Sequence, residues 1–157
     1  MKCKRKQNWK MGDIFFVKIK DGTTVVAQIV GQEKEALNSV SCAFFDWRVK
    51  SDFEIECISE MPLSKIFSIL FVTRDLLDNG IWRIVANRPI NLSRNLLPYE
   101  NLRQNGWIGA KIHGSGIVNE FLNAFYGLVP WNNWKDPNYL DKLLLYSEKK
   151  PKNLILK

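Results

Sequence analysis

Gly12-Asp13-Ile14-Phe15-Phe16-Val17-Lys18-Ile19-Lys20-Asp21-Gly22-Thr23-Thr24-Val25-Val26-Ala27-Gln28-Ile29-Val30-Gly31 decides the fold. Two apolar runs flank Asp21-Gly22, and Asp-Gly between such runs is a strong short-range hairpin signal. The runs read as strands over residues 12–19 and 23–31. Residues 32–38 are polar and charged, a connector. A third apolar run, Val40 to Phe45, ends abruptly in Asp46-Trp47 and gives a strand over residues 39–47. Three such strands open a β-meander, and no catalytic signature sits on them. The expectation is a binding domain.

Downstream, Phe53, Ile55 and Cys57 alternate with Asp52, Glu54 and Glu56. Period-two alternation predicts a further strand with an acidic outer face, ended by Pro62. Residues 66–73 form a continuous apolar run with β-branched members, which predicts a strand covered on both faces. Residues 74–80 read as a helical turn closed by Asn79-Gly80, and 81–86 as a strand stopped by Asn87-Arg88-Pro89. Residues 91–105 are polar loop, and 106–113 read as one more strand. Ser115 is placed as a helix N-cap, and Ile117, Phe121, Leu122, Phe125 and Leu128 follow at helical spacing. Gly127 lies where that helix stops. Residues 129–136 are an aromatic loop. Asp136-Pro137 is the cap and first turn of a short helix whose body is 139–145.

These elements predict a mainly β (α+β) fold. The sheet is a curved antiparallel sheet or a partly open small barrel, with one packed C-terminal helix and a short terminal helix. At 157 residues the chain is expected to form one domain, 1–157. Its driving core is Phe15, Val26, Phe44, Ile69, Trp82, Ile84, Phe121 and Phe125.

The net charge of +7 is not spread evenly. Residues 1–10 carry five basic side chains and no acid, and residues 149–157 carry four and no acid. Removing both tails leaves −2 for the body. Like-charge runs at chain ends are usually solvated and mobile, so both are expected to be tails rather than a nucleic-acid footprint. Three cysteines, without a Cys-x-x-Cys pair, argue against a disulfide framework and for a reducing compartment. No apolar run approaches the ~20 residues that span a bilayer. The expected location is cytoplasmic.

Catalytic chemistry is poorly served. His113 is the only histidine, and a Cys–His pair would need Cys42 or Cys57 brought to it by the fold. One histidine and scattered cysteines do not supply a structural zinc site. Asp13, Asp46, Asp75 and Asp78 fit turn and cap chemistry better than paired acid–base work. Gly114-Ser115-Gly116 at a helix start is explained by capping. No catalytic residue, metal or cofactor is expected.

Candidate contact residues remain. Asp46 ends an apolar strand, where it either hydrogen-bonds a neighbouring loop or meets a partner, with Trp47 beside it. Asp52, Glu54 and Glu56 are a charged contact face or simply a solvated one. Trp131 and Trp134 are either exposed anchors of the kind enriched at binding hot spots or indoles folded back over the helix end. Asp13 completes the set.

Some of these residues resemble a known family. Gly12-Asp13-Ile14-Phe15 with its Lys20-Asp21-Gly22 turn, Ala43-Phe44-Phe45-Asp46, and Gly80-Ile81-Trp82-Arg83-Ile84-Val85 with Pro89 after it are similar to the pattern of the immunity protein 26 family. The likeness runs from Gly12 to about Pro89 and departs at Ala86, where a glycine is expected. The resemblance implies a mostly β fold, a cognate toxin of a bacterial polymorphic toxin system as partner, neutralisation by occlusion, and no catalytic residues. Two other readings stay open from the residues alone. One is a small-barrel nucleic-acid-binding module using the basic termini and the aromatic loop. The other is an enzyme built on Cys42 or Asp46 with His113.

Overall fold

The computed structural model describes residues 6–98 and 100–157; Met1 to Arg5, most of the basic N-terminal run, lie outside it. Five strands form one open antiparallel sheet: β1 (Asp13–Lys18), β2 (Thr24–Glu33), β3 (Ser39–Val49), β4 (Ile66–Val72) and β5 (Arg83–Asn87). Their order is β4-β3-β2-β1-β5. The three leading strands pair as a meander, with Phe16 opposite Val26 and Gln28 opposite Ala43. Asp21 makes the first turn: its carboxylate accepts from the Thr23 amide (3.0 Å) and hydroxyl (2.7 Å). β5 folds back beside β1, so the strand carrying Trp82 at its entry closes one edge.

Strand alternation builds two cores. Phe15, Val17, Val25, Ala27, Ile29, Cys42 and Phe44 face one side with Trp82 and Leu77. Ile14, Phe16, Val26, Val30, Ala43 and Phe45 face the other with Ile55, Met61 and Leu97. With both faces covered, an antiparallel strand reads as a near-continuous apolar run rather than an alternating one. Every residue of β4 is buried, as its run predicts. The first face is roofed by the longest helix. Two four-residue helices precede it, α1 (Phe53–Glu56) and α2 (Asp75–Asp78), and α3 (Ser115–Phe125) follows. Phe125 of α3 stacks on Phe67 at 3.8 Å between ring centroids, and Phe121 meets the same ring at 5.8 Å. Phe15 stacks on Trp82 at 5.3 Å.

Several expectations are corrected. The segment around Phe53 is helix, not strand. Ile55 and Ile58, three apart, turn inward together while Phe53 stands 66% exposed, so the helical period wins over the alternating one. Arg88 then ties the turn down by donating to the Ile58 carbonyl (2.9 Å) and the Ile55 carbonyl (3.1 Å). Residues 106–113 are not a strand either. Gly106, Trp107 and Gly109 take positive φ (64°, 66° and 89°), which no extended chain tolerates. Only His113 reaches the sheet, bridging Val72 in parallel sense. The cap of α3 is Gly114; Ser115 is the first helical residue and donates instead to Asp75 (2.8 Å).

The C-terminal lysine run is not a loose tail. Ile155 bridges Pro130, and the Trp131 amide donates to the Ile155 carbonyl at 2.8 Å. The Lys157 amide donates to Asn132 Oδ1 at 2.7 Å. Gly127 permits this seat: at φ +72° its α-carbon lies so close to the chain that an added Cβ would sit 2.8 Å from the Asn153 carbonyl oxygen. The lysines themselves are largely solvated, as their charge suggests, but backbone pairing fixes the path of the segment.

Candidate interaction cleft

Where β3 leaves the sheet, its register with β2 jumps from Ala27 opposite Phe44 to Val25 opposite Arg48. Phe45, Asp46 and Trp47 together therefore face Val26 alone. Such a bulge re-aims side chains that regular pairing would hold in line. Phe45 stays buried in the second core, while Asp46 and Arg48 emerge at the surface with Trp47 half-buried between them. β4 shifts register at the same level, between the pairs Phe44–Ser68 and Phe45–Ile66.

Tyr126, just after α3, meets this bulge. Its hydroxyl donates to Asp46 Oδ1 at 3.0 Å. The Arg48 guanidinium lies over the Tyr126 ring, 4.3 Å from its centroid, and donates to Asp21 Oδ2 at 2.9 Å. Burial, reinforced by the Asp46 charge, pushes the Tyr126 phenol well above its ordinary value. Hydrogen bonds from Thr23, with the Arg48 charge behind them, hold the Asp21 carboxyl below the usual range.

A cleft of about 560 Å³ opens beside this cluster. Its floor includes Phe67 and Phe125; its walls are the β3 bulge, the 3₁₀ turn Leu63–Lys65 and residues 148–153. A shallower hollow carrying Trp47 and Lys50 adjoins it and shares Asp46, Arg48, Lys65 and Tyr126. Lys149 is anchored through its ammonium, which donates to the Ser64 carbonyl at 2.6 Å. Lys150 pairs with Asp141 at 3.0 Å, and Asp141 also accepts from the Trp131 indole at 2.7 Å.

Of the expected contact residues, Asp46 lines the cleft, Trp47 lines the adjoining hollow, and the rest lie elsewhere. Asp13 is buried and internal: its carboxylate accepts from the Lys10 amide (2.8 Å) and from Asn87 (3.0 Å). Trp131 is 1% exposed, so its indole folds back rather than standing out as an anchor. Trp134 is half-buried with its ring against Tyr139, centroids 5.0 Å apart. Glu54 and Glu56 lie on α1, and Asp52 immediately precedes it. Asp52 forms a two-pronged pair with Arg83 (3.0 and 2.8 Å), and Glu54 accepts from the Lys50 amide (3.1 Å). Glu56 is exposed.

Residue patterning did not point to Arg48, Tyr126, Lys65 or the folded lysine wall. The signal for Arg48 lies in the sequence: Asp46-Trp47-Arg48 interrupts an apolar strand before Val49 resumes it, as a bulge does. The lysine wall carries no local signal, because its place depends on contacts with residues 127–132.

The same geometry weakens nucleophilic chemistry. Cys42 is wholly buried, and burial drives its thiol far from ionisation. His113 is 4% exposed, and burial, with the Lys111 charge behind it, pushes its imidazole below the ordinary value. Among the described residues, no group of three or more His, Cys, Asp or Glu side chains is placed to hold a metal ion. No described helix is long and apolar enough to cross a membrane.

No curated protein and no solved structure matches this chain. The family model for immunity protein 26 matches residues 10–107, which takes in all five strands, α1 and α2, and stops before α3 and the lysine wall. A likeness that spans the whole sheet and well over half of the chain places it: this protein belongs to the immunity protein 26 family.

Proposed function

We infer that this chain is a cytoplasmic immunity protein that binds the cognate toxin of a bacterial polymorphic toxin system and neutralises it by occlusion, without chemistry of its own. The observation that carries this reading is the family match across the entire sheet. The sheet is covered on both faces and supplies a stiff frame. The β3 bulge beside the cleft supplies the contact residues: Asp46 and Arg48 exposed, with Trp47 between them. Aromatic and arginine side chains at the centre of a contact patch contribute most to affinity. A standard interface removes roughly 800 Å² from each partner, far more than the cleft alone, so the surrounding loops belong to the contact as well.

Co-expression with the toxin encoded in the neighbouring gene tests the proposal. Growth should be rescued, and the two proteins should co-purify. Toxicity that persists while both proteins are soluble rules it out.

A further inference from the structure

We propose that the cleft is the docking groove for an acidic segment of the toxin, with the lysine wall as its charge-reading element. The inference rests on the toxin-binding reading and adds the chemistry of the partner. Five basic side chains line the cleft, Arg48, Lys65, Lys149, Lys150 and Lys152, against two acids, Asp46 and Glu148. Arg48 is committed to Asp21 and Lys150 to Asp141. Lys149 bonds a neutral carbonyl. Lys65 and Lys152 are exposed and have no acidic partner among the described residues.

Held by a folded segment, these like charges repel one another, and that repulsion opposes the compact state. A mobile tail would relieve it by spreading. Here the backbone pairing of residues 155–157 and the seat at Gly127 hold the lysines in the lining of the groove that Lys65 also lines. The structure keeps a groove preformed in which basic side chains outnumber acids, with Lys65 and Lys152 left without an acidic partner among the described residues. Preorganisation of this kind lowers the cost of ordering on binding, and complementary charge speeds encounter.

The occupant favoured is polypeptide rather than nucleic acid. Single-stranded nucleic acid binds by stacking bases on free aromatic faces along a basic groove. In this groove the Tyr126 ring is covered by Arg48, and Phe125 is stacked on Phe67.

Fluorescence anisotropy of the full chain with labelled deca-aspartate and with a ten-nucleotide single-stranded DNA at about 50 mM salt, a concentration at which exposed charges are weakly screened, reads the groove directly. Deca-aspartate should bind and be displaced by the toxin. Lys65→Glu/Lys152→Glu should weaken peptide and toxin binding at least ten-fold while melting with the wild type. Lys34→Glu, exposed on the β2–β3 turn, should change neither. Absence of peptide binding, or equal binding by the double variant, overturns the groove. DNA bound as tightly as the peptide, and lost in the same variant, overturns the choice of occupant. A toxin complex whose Kd ignores the double substitution overturns the docking proposal and leaves toxin binding standing. No complex with the wild type removes both.

Discussion

The Tyr126 hydroxyl donates to Asp46 Oδ1 across 3.0 Å, joining the end of α3 to the bulge of β3. Arg48 roofs the same ring at 4.3 Å and reaches Asp21 in the first hairpin turn. Helix, bulge and hairpin are thus tied at one point beside the cleft. Because burial and the Asp46 charge raise the phenol, the folded state retains its proton where the unfolded state releases it, above about pH 10. Stability from this group is complete below pH 10 and is lost as pH rises beyond it. Tyr126→Phe removes the hydrogen bond at a cost of about 1 kcal/mol near neutrality and also removes the titration. Above pH 10 the two melting curves should therefore converge. A constant gap between them through alkaline pH would show that the phenol does not couple to folding.

Trp82 is 1% exposed and stacked on Phe15 at the entry to the edge strand β5. Trp82→Ala leaves a void in the first core beside Phe15, where β5 joins β1. The expected cost is about 3–5 kcal/mol, read as a loss in chemical-denaturation midpoint. A loss below about 1 kcal/mol would mean that the site collapses around the void.

Gly127 decides where the C-terminal segment lies. A β-carbon there meets the Asn153 carbonyl at 2.8 Å and must also accept φ +72°. Gly127→Ala should unseat residues 150–157 while the sheet stays folded. Limited proteolysis should then cut after the freed lysines, with little change in the midpoint of the main unfolding transition. Protection equal to the wild type would show that the segment is held by Pro130 and Asn132 without help from the turn.

The sequence carries the sheet more plainly than the cleft, for a physical reason. Asp21-Gly22 sets a turn by local chemistry, and the apolar runs around it bury themselves in adjacent strands, so β1 to β4 follow from short-range pattern. The helix over residues 115–125 has the same character: Phe121 and Phe125 sit one turn apart and meet one ring, Phe67. The segment around Phe53 is too short to separate period two from the helical period; Ile55 and Ile58 turn inward together, and Arg88, thirty-three residues from Ile55, donates to its carbonyl and ties the turn down. The lysine wall is less legible still. Residues 149–157 look like a tail because their charge is local and visible, whereas the seat that receives them is formed by Gly127, Pro130, Trp131 and Asn132, upstream in the chain. Residue type in a sequence does not carry exposure: Asp46 and Trp47 reach the surface, while Asp13 and Trp131, of the same types, are internal.

That division gives a test of which residues contact the toxin and which merely hold the frame. Trp47 is half-buried on the bulge, with an edge free for a partner and a base packed on the second core. Such a side chain loses little freedom on binding and offers a large contact area, the profile of a hot spot. Trp47→Ala should raise the Kd for the toxin by about 30-fold or more, equivalent to at least 2 kcal/mol, with a smaller loss of stability. Asp13→Ala should do the reverse. It removes the nearly buried acceptor of the Lys10 amide and of one Asn87 N–H, so it should lower stability by about 1–3 kcal/mol and leave the Kd of the folded fraction unchanged. Titration calorimetry on both variants separates the two roles, since it reports affinity and active fraction together. If Trp47→Ala binds like the wild type while Asp13→Ala does not, the contact surface lies at the β1–β5 end of the sheet and not at the bulge.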